Sequence, residues 1–138
     1  MVHALYEAWR VLVPQGILID LRPYCVNAPL EILYKDGIES AGLVDMSPDR
    51  PHDLAADEAI TTLIQEGRFT ELKSYHFDFT NYWKSIEELL VDWKDRWSED
   101  AILPDEVLQR AVLIFEQHDS RARLRLRIPM ILVEFVKQ

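Results

Sequence analysis

The chain has 138 residues, 49% of them hydrophobic, and a formal net charge of −9 at pH 7. That length suits one domain over residues 1–138, and the hydrophobic fraction is too high for a disordered chain. The negative charge disfavours nucleic acid and anionic membranes as partners, while a single cysteine and no bilayer-length apolar run predict a cytoplasmic protein.

The first predicted elements are a helix, a tight turn and a strand. Apolar residues spaced three and four apart predict an amphipathic helix over 4–12, which Pro14 ends. After the turn at Gly16, the apolar run at 17–19 predicts a strand covered on both faces, as in an α/β sheet. The proline-containing stretch 24–51 is predicted to be irregular, apart from a short strand at Glu31–Tyr34.

The middle of the chain predicts another helix and a strand. Asp53 is expected to cap a helix that runs to Glu66, with Gly67 as its left-handed terminator. Strict alternation over residues 69–80 then predicts a half-buried strand, with its aromatic side chains on one face.

The last third predicts two helices and a final strand. Ser85 and Glu88 form a capping box for the first of these helices, and Pro104 starts the second. Alternation over 122–128 predicts the strand, with Pro129 at a bulge or an edge. Its arginine stripe (residues 123, 125 and 127) is compatible with an anion site, but we favour pairing with carboxylates such as Glu71 and Asp78.

The opening segment HALYEAWRVLVPQGILIDLRPY, residues 3–24, resembles a helix–turn–strand found late in class I S-adenosylmethionine (SAM)-dependent methyltransferases. In that family a helix ending R-V-L-x-P-G-G leads into the fifth strand of a doubly wound sheet; Gln15 departs from this pattern. The resemblance implies an α/β fold with a partial methyltransferase-like (Rossmann-like) sheet, late antiparallel strands and flanking helices. The last strand would lie antiparallel between the fifth and sixth. Because the family's cofactor-binding half precedes this segment, the chain would be the C-terminal half without it.

The sequence predicts no cofactor, metal or catalytic site on the chain alone. Its four glycines are too far apart for a G-x-G loop, so SAM would bind only if a partner supplied the missing half. None of the four histidines belongs to a short metal-ligand motif, and Cys25 is expected to be an ordinary buried thiol.

The candidate substrate-binding residues lie at the end of the first strand and in the loop after it. In open α/β sheets, ligands bind beyond the carboxyl ends of the strands, and in the resembled family this loop shapes the substrate side. The residues are Asp20, Arg22, Tyr24 and Asn27.

Three functions remain open from the sequence. We favour a non-catalytic methyltransferase-like fragment that forms a homodimer through its uncovered first strand and acts as a binding or interaction protein. A second hypothesis is the substrate-side half of a split SAM-dependent methyltransferase, whose SAM-binding half is a separate chain. A third is a small α+β ligand-binding cone or barrel, unrelated to methyltransferases, with a pocket around Tyr75, Phe77, Trp83 and Trp93.

Overall fold

The computed structural model describes residues 2–24 and 26–138 as four α-helices, a short π-helix and an open antiparallel five-stranded sheet. The helices are α1 (Val2–Val11), α2 (Arg50–Gln65), α3 (Ile86–Asp92) and α4 (Asp105–Glu116), with the π-helix at Trp93–Trp97. The strands are β1 (Ile17–Pro23), β2 (Ala28–Tyr34), β3 (Gly37–Val44), β4 (Phe69–Trp83) and β5 (Arg123–Lys137). They are hydrogen-bonded in the order β1-β5-β2-β3, and β4 also pairs with β5. The predicted α/β class is therefore confirmed. The prediction that Cys25 is a buried thiol concerns a residue outside the described ones.

The chain divides into two compact units, and the long strands β4 and β5 contribute residues to both. The first unit comprises residues 2–24, 50–77 and 130–138, with β1 antiparallel to the second half of β5. Its buried core centres on Leu63 and Phe135, against which Leu5 and Trp9 of α1 pack. The helices α1 and α2 thus lie on the sheet face that carries the core.

The ends of α2 follow the sequence prediction at one end only. Gly67 has a φ of 70°, and the amides of Gly67 and Arg68 donate to the carbonyls of Ile64 and Leu63. This is a Schellman motif, so the predicted terminator is confirmed. The helix begins at Arg50, however, and Asp53 lies buried inside its first turn rather than capping it.

The prediction that β1 is covered on both faces is wrong. The side chains of Ile17, Ile19 and Leu21 are 46%, 58% and 54% exposed. Leu18, on the opposite face of β1, packs against the core of its unit, because α1 and α2 cover only that face. The consecutive apolar residues of β1 therefore lie on two faces, of which one is covered by helices and the other is exposed.

The prediction of a half-buried β4 is also wrong. The strand begins at the buried Phe69, but residues 71–79 are exposed on both faces. Among the described residues, β4 pairs with β5 alone, so the other edge of β4 is unpaired. Tyr75 and Phe77, which the third hypothesis places in a pocket, are therefore exposed side chains.

The second unit, residues 26–49 and 78–129, contains a hairpin where only a short strand at Glu31–Tyr34, within an irregular stretch, was predicted. The strands β2 and β3 pair antiparallel from Ala28 opposite Val44 to Tyr34 opposite Gly37, so a two-residue turn joins them. The turn residues are Lys35 and Asp36, and Gly37 is the first residue of β3. The other edge of β2 pairs with the first half of β5, and Leu30 is fully buried there.

Pro129 lies inside the continuous strand β5, at a point where its missing N–H costs no ladder bond to β1 or β2. Pairing with β2 ends at Leu126, and pairing with β1 begins at Met130. Because Pro129 lies opposite neither strand, the strand continues through it.

The predicted capping box at the start of α3 is confirmed with one variation. The Ser85 hydroxyl accepts a hydrogen bond from the Glu88 amide at 3.1 Å. The Glu88 carboxylate in turn accepts from the amide of Lys84, one residue before the cap. Two amides that the helix itself leaves unpaired are thereby satisfied.

At the other end of α3, Asp92 accepts hydrogen bonds from Arg96 at 2.5 and 2.7 Å and from the indole of Trp83 at 2.9 Å. The bonds from Arg96, more than those from Trp83, hold the pKa of Asp92 below its ordinary value. Because the folded pKa lies below the unfolded one, this stabilisation is present above about pH 4 and is lost as the pH falls through the folded pKa.

We therefore expect Asp92→Asn to destabilise the protein near pH 6 and to differ less from wild type near pH 2. Urea unfolding followed by circular dichroism across this range measures the difference. The control is Asp95→Asn, at an exposed aspartate of the π-helix. An equal difference for Asp92→Asn at both pH values would contradict this account.

Candidate functional site

The candidate site is organised around Arg22, within the first unit. Residues 20 and 22 lie on the same face of β1, and the Arg22 Nε donates to Asp20 Oδ2 at 2.9 Å. The two terminal nitrogens of its guanidinium donate to the Asp53 carbonyl at 3.4 Å and to Asp57 Oδ1 of α2. The Arg22 and Asp20 side chains are each only 18% exposed. One arginine thus joins β1 to α2.

The charge of Arg22 is held by these contacts. Burial acts to lower the pKa of Arg22, but its hydrogen bonds to Asp20 and Asp57 outweigh burial and raise the pKa above its ordinary value. The guanidinium therefore stays protonated, as arginine does in proteins. It acts as a fixed cation between two carboxylates.

A cleft of about 240 Å³ lies beside this cluster, within the same unit. Its apolar lining comes from β5 (called the floor) and from α2, and its polar lining (called the rim) comes from β1, α2 and β4. The lining residues are Asp20, Arg22, Asp57, Ile60, Thr61, Ile64, Glu71, Ser74, Ile131, Val133 and Phe135. Six of the eleven lining residues are polar, so this cleft is more polar than most small-molecule sites.

The structure brings together two of the four predicted substrate-binding residues, Asp20 and Arg22. Tyr24 does not line the cleft; its exposed ring packs edge-on against His76 of β4, with the ring centroids 4.9 Å apart. Asn27 belongs to the other unit, where its Oδ1 accepts a hydrogen bond from the Met46 amide at 3.1 Å. Substrate binding by these residues stays a prediction.

Asp57 and Glu71 line the cleft but were not among the predicted site residues. Asp57 lies three, four and seven residues before Ile60, Thr61 and Ile64, so it shares their face of α2. This spacing in the sequence could have identified Asp57 as a residue on the same helix face. Glu71 reaches the cleft because β4 pairs with β5, which no local pattern specifies.

Two arginines of the β5 stripe form ion pairs, as favoured from the sequence, whereas Arg123 donates to the carbonyls of Ser120 and Ala122. Glu31 of β2 accepts from Arg125 at 2.6 Å and from Arg127 at 3.1 Å. Arg127 also pairs with Asp78 at 3.1 Å, which confirms one predicted partner. The central carboxylate is Glu31 rather than Glu71, because the hairpin places β2 beside β5.

The chain's own residues do not fit a SAM site of the family's type. Gly16 precedes β1, Gly37 and Gly42 lie in β3, and Gly67 follows α2, so none lies in a strand-to-helix turn of the kind that cradles a nucleotide. Within residues 2–24 and 26–138, no three His, Cys, Asp or Glu side chains are grouped to hold a metal ion.

The comparisons with known proteins add no relative. The sequence matches no family model, and neither the curated proteins nor the solved structures yield a match. Among the described residues, no helix is both long and apolar enough to cross a membrane. Functional inference for this chain therefore rests on its own geometry and on the resemblance of residues 3–24.

Proposed function

We propose that the chain is the substrate-side part of a class I SAM-dependent methyltransferase sheet, completed by a strand and helix of another polypeptide that carries the SAM site. The strand pairing supports this proposal. The final strand β5 pairs antiparallel with β1 and also pairs with β4. In the resembled family the last strand likewise pairs with the fifth and the sixth. The positions of α1 before β1 and of α2 between β1 and β4 agree with the same scheme.

The observation that carries the proposal is the open edge of β1. The Lys137 amide donates to the Gly16 carbonyl at 2.9 Å, so the backbone groups of Gly16, and in alternation those of Leu18 and Asp20, point toward β5. Backbone groups of the intervening residues, such as Ile19, then point away from β5. An edge of this kind is a template for another strand.

The open face of β1 adds a second requirement for the partner. Ile17, Ile19 and Leu21 are about half exposed on this face. Edge pairing between two copies of β1 would satisfy the backbone groups but leave both apolar faces in water. A strand followed by a helix covers the edge and the face together, which is how α/β sheets bury their strands. The geometry therefore favours the split enzyme over the homodimer.

In this scheme SAM supplies the methyl group when the partner binds it. The residues of this chain contribute the acceptor side, where Arg22 fixes the carboxylates of Asp20 and Asp57 at the rim of the cleft. Their role is to bind and orient the methyl acceptor.

A photocrosslinking experiment tests the proposal. A photoreactive amino acid is placed at Ile19 in the cell of origin, and crosslinked proteins are identified by mass spectrometry. We expect a partner that contains a glycine-rich SAM loop, and we expect the purified pair to bind S-adenosylhomocysteine in calorimetry. The matched control position is Leu113 of α4, which is 62% exposed against 58% for Ile19. Crosslinks to no protein, or only to a second copy, would overturn the split-enzyme proposal.

A second candidate function is the non-catalytic homodimer favoured from the sequence. The charges of β1 are self-complementary: with Leu21 on a twofold axis, antiparallel pairing of two β1 strands sets Asp20 opposite Arg22 of the other copy. Sedimentation velocity near 100 µM separates the two candidates. A dimer that Ile19→Lys dissociates and Leu113→Lys leaves intact would favour this candidate.

A further inference from the structure

We infer that the cleft beside Arg22 binds an organic cation, a primary amine attached to a short apolar chain. The ligand's role as methyl acceptor rests on the proposed function, whereas its binding does not. The inference stands on the cleft within the first unit, whose lining includes three carboxylates and the apolar residues of β5. No residue of the other unit enters the argument.

Hydrogen-bond acceptors dominate the rim of the cleft. Arg22 occupies Oδ2 of Asp20 and Oδ1 of Asp57, so the second oxygen of each carboxylate receives no bond from it. Glu71 adds a third carboxylate from β4. Three carboxylates against one guanidinium leave the rim two charges negative. A donor-rich cation matches this arrangement, because an ammonium group has three N–H donors and no acceptor.

The apolar residues of the floor indicate the chemistry of the rest of the ligand. Ile131, Val133 and Phe135 line it, and their side chains are the natural contact for methylene groups. A volume of about 240 Å³ equals that of about eight water molecules, which accommodates an alkylamine of about six carbons. A bare metal ion would leave this floor unused, and no metal-holding group was found among the described residues.

Three ligands of the same length and different charge test the inference. n-Hexylamine, 1-hexanol and n-hexanoate are titrated into the purified chain, and the methyl resonances of Ile131 and Val133 are followed by NMR. We expect n-hexylamine to bind with a dissociation constant on the order of 1 mM, reasonable for so small a ligand. We expect it to bind about tenfold more tightly than the other two, since charge-assisted hydrogen bonds are the stronger ones. Equal binding of all three, tighter binding of hexanoate or no binding would overturn the inference.

A matched pair of variants locates the amine. Glu71→Gln removes a rim carboxylate, whereas Glu58→Gln makes the same change at an exposed position of α2 outside the cleft. We expect Glu71→Gln to weaken n-hexylamine binding about fivefold and Glu58→Gln to leave it unchanged. Equal weakening by both would indicate a general charge effect and would contradict the site. Because the titration needs only this chain, it fails independently of the photocrosslinking experiment.

Discussion

Replacing Glu31 with glutamine is expected to lower the free energy of unfolding by about 3 kcal/mol. The Glu31 side chain is only 10% exposed and bonds Arg125 at 2.6 Å and Arg127 at 3.1 Å. Glutamine fills the same volume but removes the shared carboxylate. Arg127 keeps its pair with Asp78, whereas the partly buried Arg125 loses its ion pair. Removing one partner of a buried ion pair is costly because the remaining charge is uncompensated.

Urea unfolding at neutral pH measures this effect, with Glu39→Gln as its control. Glu39 lies opposite Ile32 on the neighbouring strand β3, and its side chain is about half exposed. We expect the control to change the free energy of unfolding by less than about 0.5 kcal/mol. Similar values for the two variants would show that the arginine stripe does not depend on Glu31.

Gly42→Ala is expected to cost about 3 kcal/mol, for two separate reasons. Gly42 has a φ of 131°, a backbone conformation that side-chain-bearing residues rarely adopt. A Cβ at this position would also lie 2.9 Å from Cγ2 of Val107 on α4. The β2–β3 register shifts at this point, between Leu30 and Glu31, so the glycine serves both the bulge and the contact with α4.

A double-mutant cycle separates the two costs of Gly42→Ala. Val107→Ala removes the crowded methyl groups, so in that background the substitution should cost about 1 kcal/mol less. The backbone term should remain. Ala41→Gly controls for backbone effects at the neighbouring buried position of β3. A full rescue by Val107→Ala would mean that the backbone conformation at residue 42 carries no strain.

Local patterns specified most of the elements but not their environments. The four helices and the strands at 17–23, 69–83 and 123–137 follow periodicity, a capping box and a glycine terminator. Of the hairpin at 28–44, only the strand at Glu31–Tyr34 was predicted, because Pro29 favours irregular structure at its start. The exposure of Ile19 and of Tyr75 could not be predicted, because a side chain's burial depends on which elements cover it. Alternation and apolar runs identify strands, not the partners that cover them.

In the candidate site too, some residues could be predicted from local sequence, whereas others depend on tertiary packing. Asp20 and Arg22 could be placed together because they share one face of a predicted strand. Asp57 approaches them across 35 residues of sequence, and only the packing of α2 on β1 creates the bond. Asn27 was grouped with them because it is close in sequence, yet its amide oxygen accepts a hydrogen bond from the Met46 backbone amide. Neighbours in a loop need not face one site.

The position of β5 in the chain has a consequence for the order of folding. The strands β1, β2 and β4 all pair with β5, yet all three precede it in the sequence. During synthesis they emerge from the ribosome before the strand that joins them. The β2–β3 hairpin can form early, but the rest of the sheet assembles only when β5 arrives. Such long-range pairing slows folding, and unpaired strands are exposed to aggregation meanwhile. A nascent chain stalled before residue 123 should therefore bind chaperones more than one stalled well after residue 137.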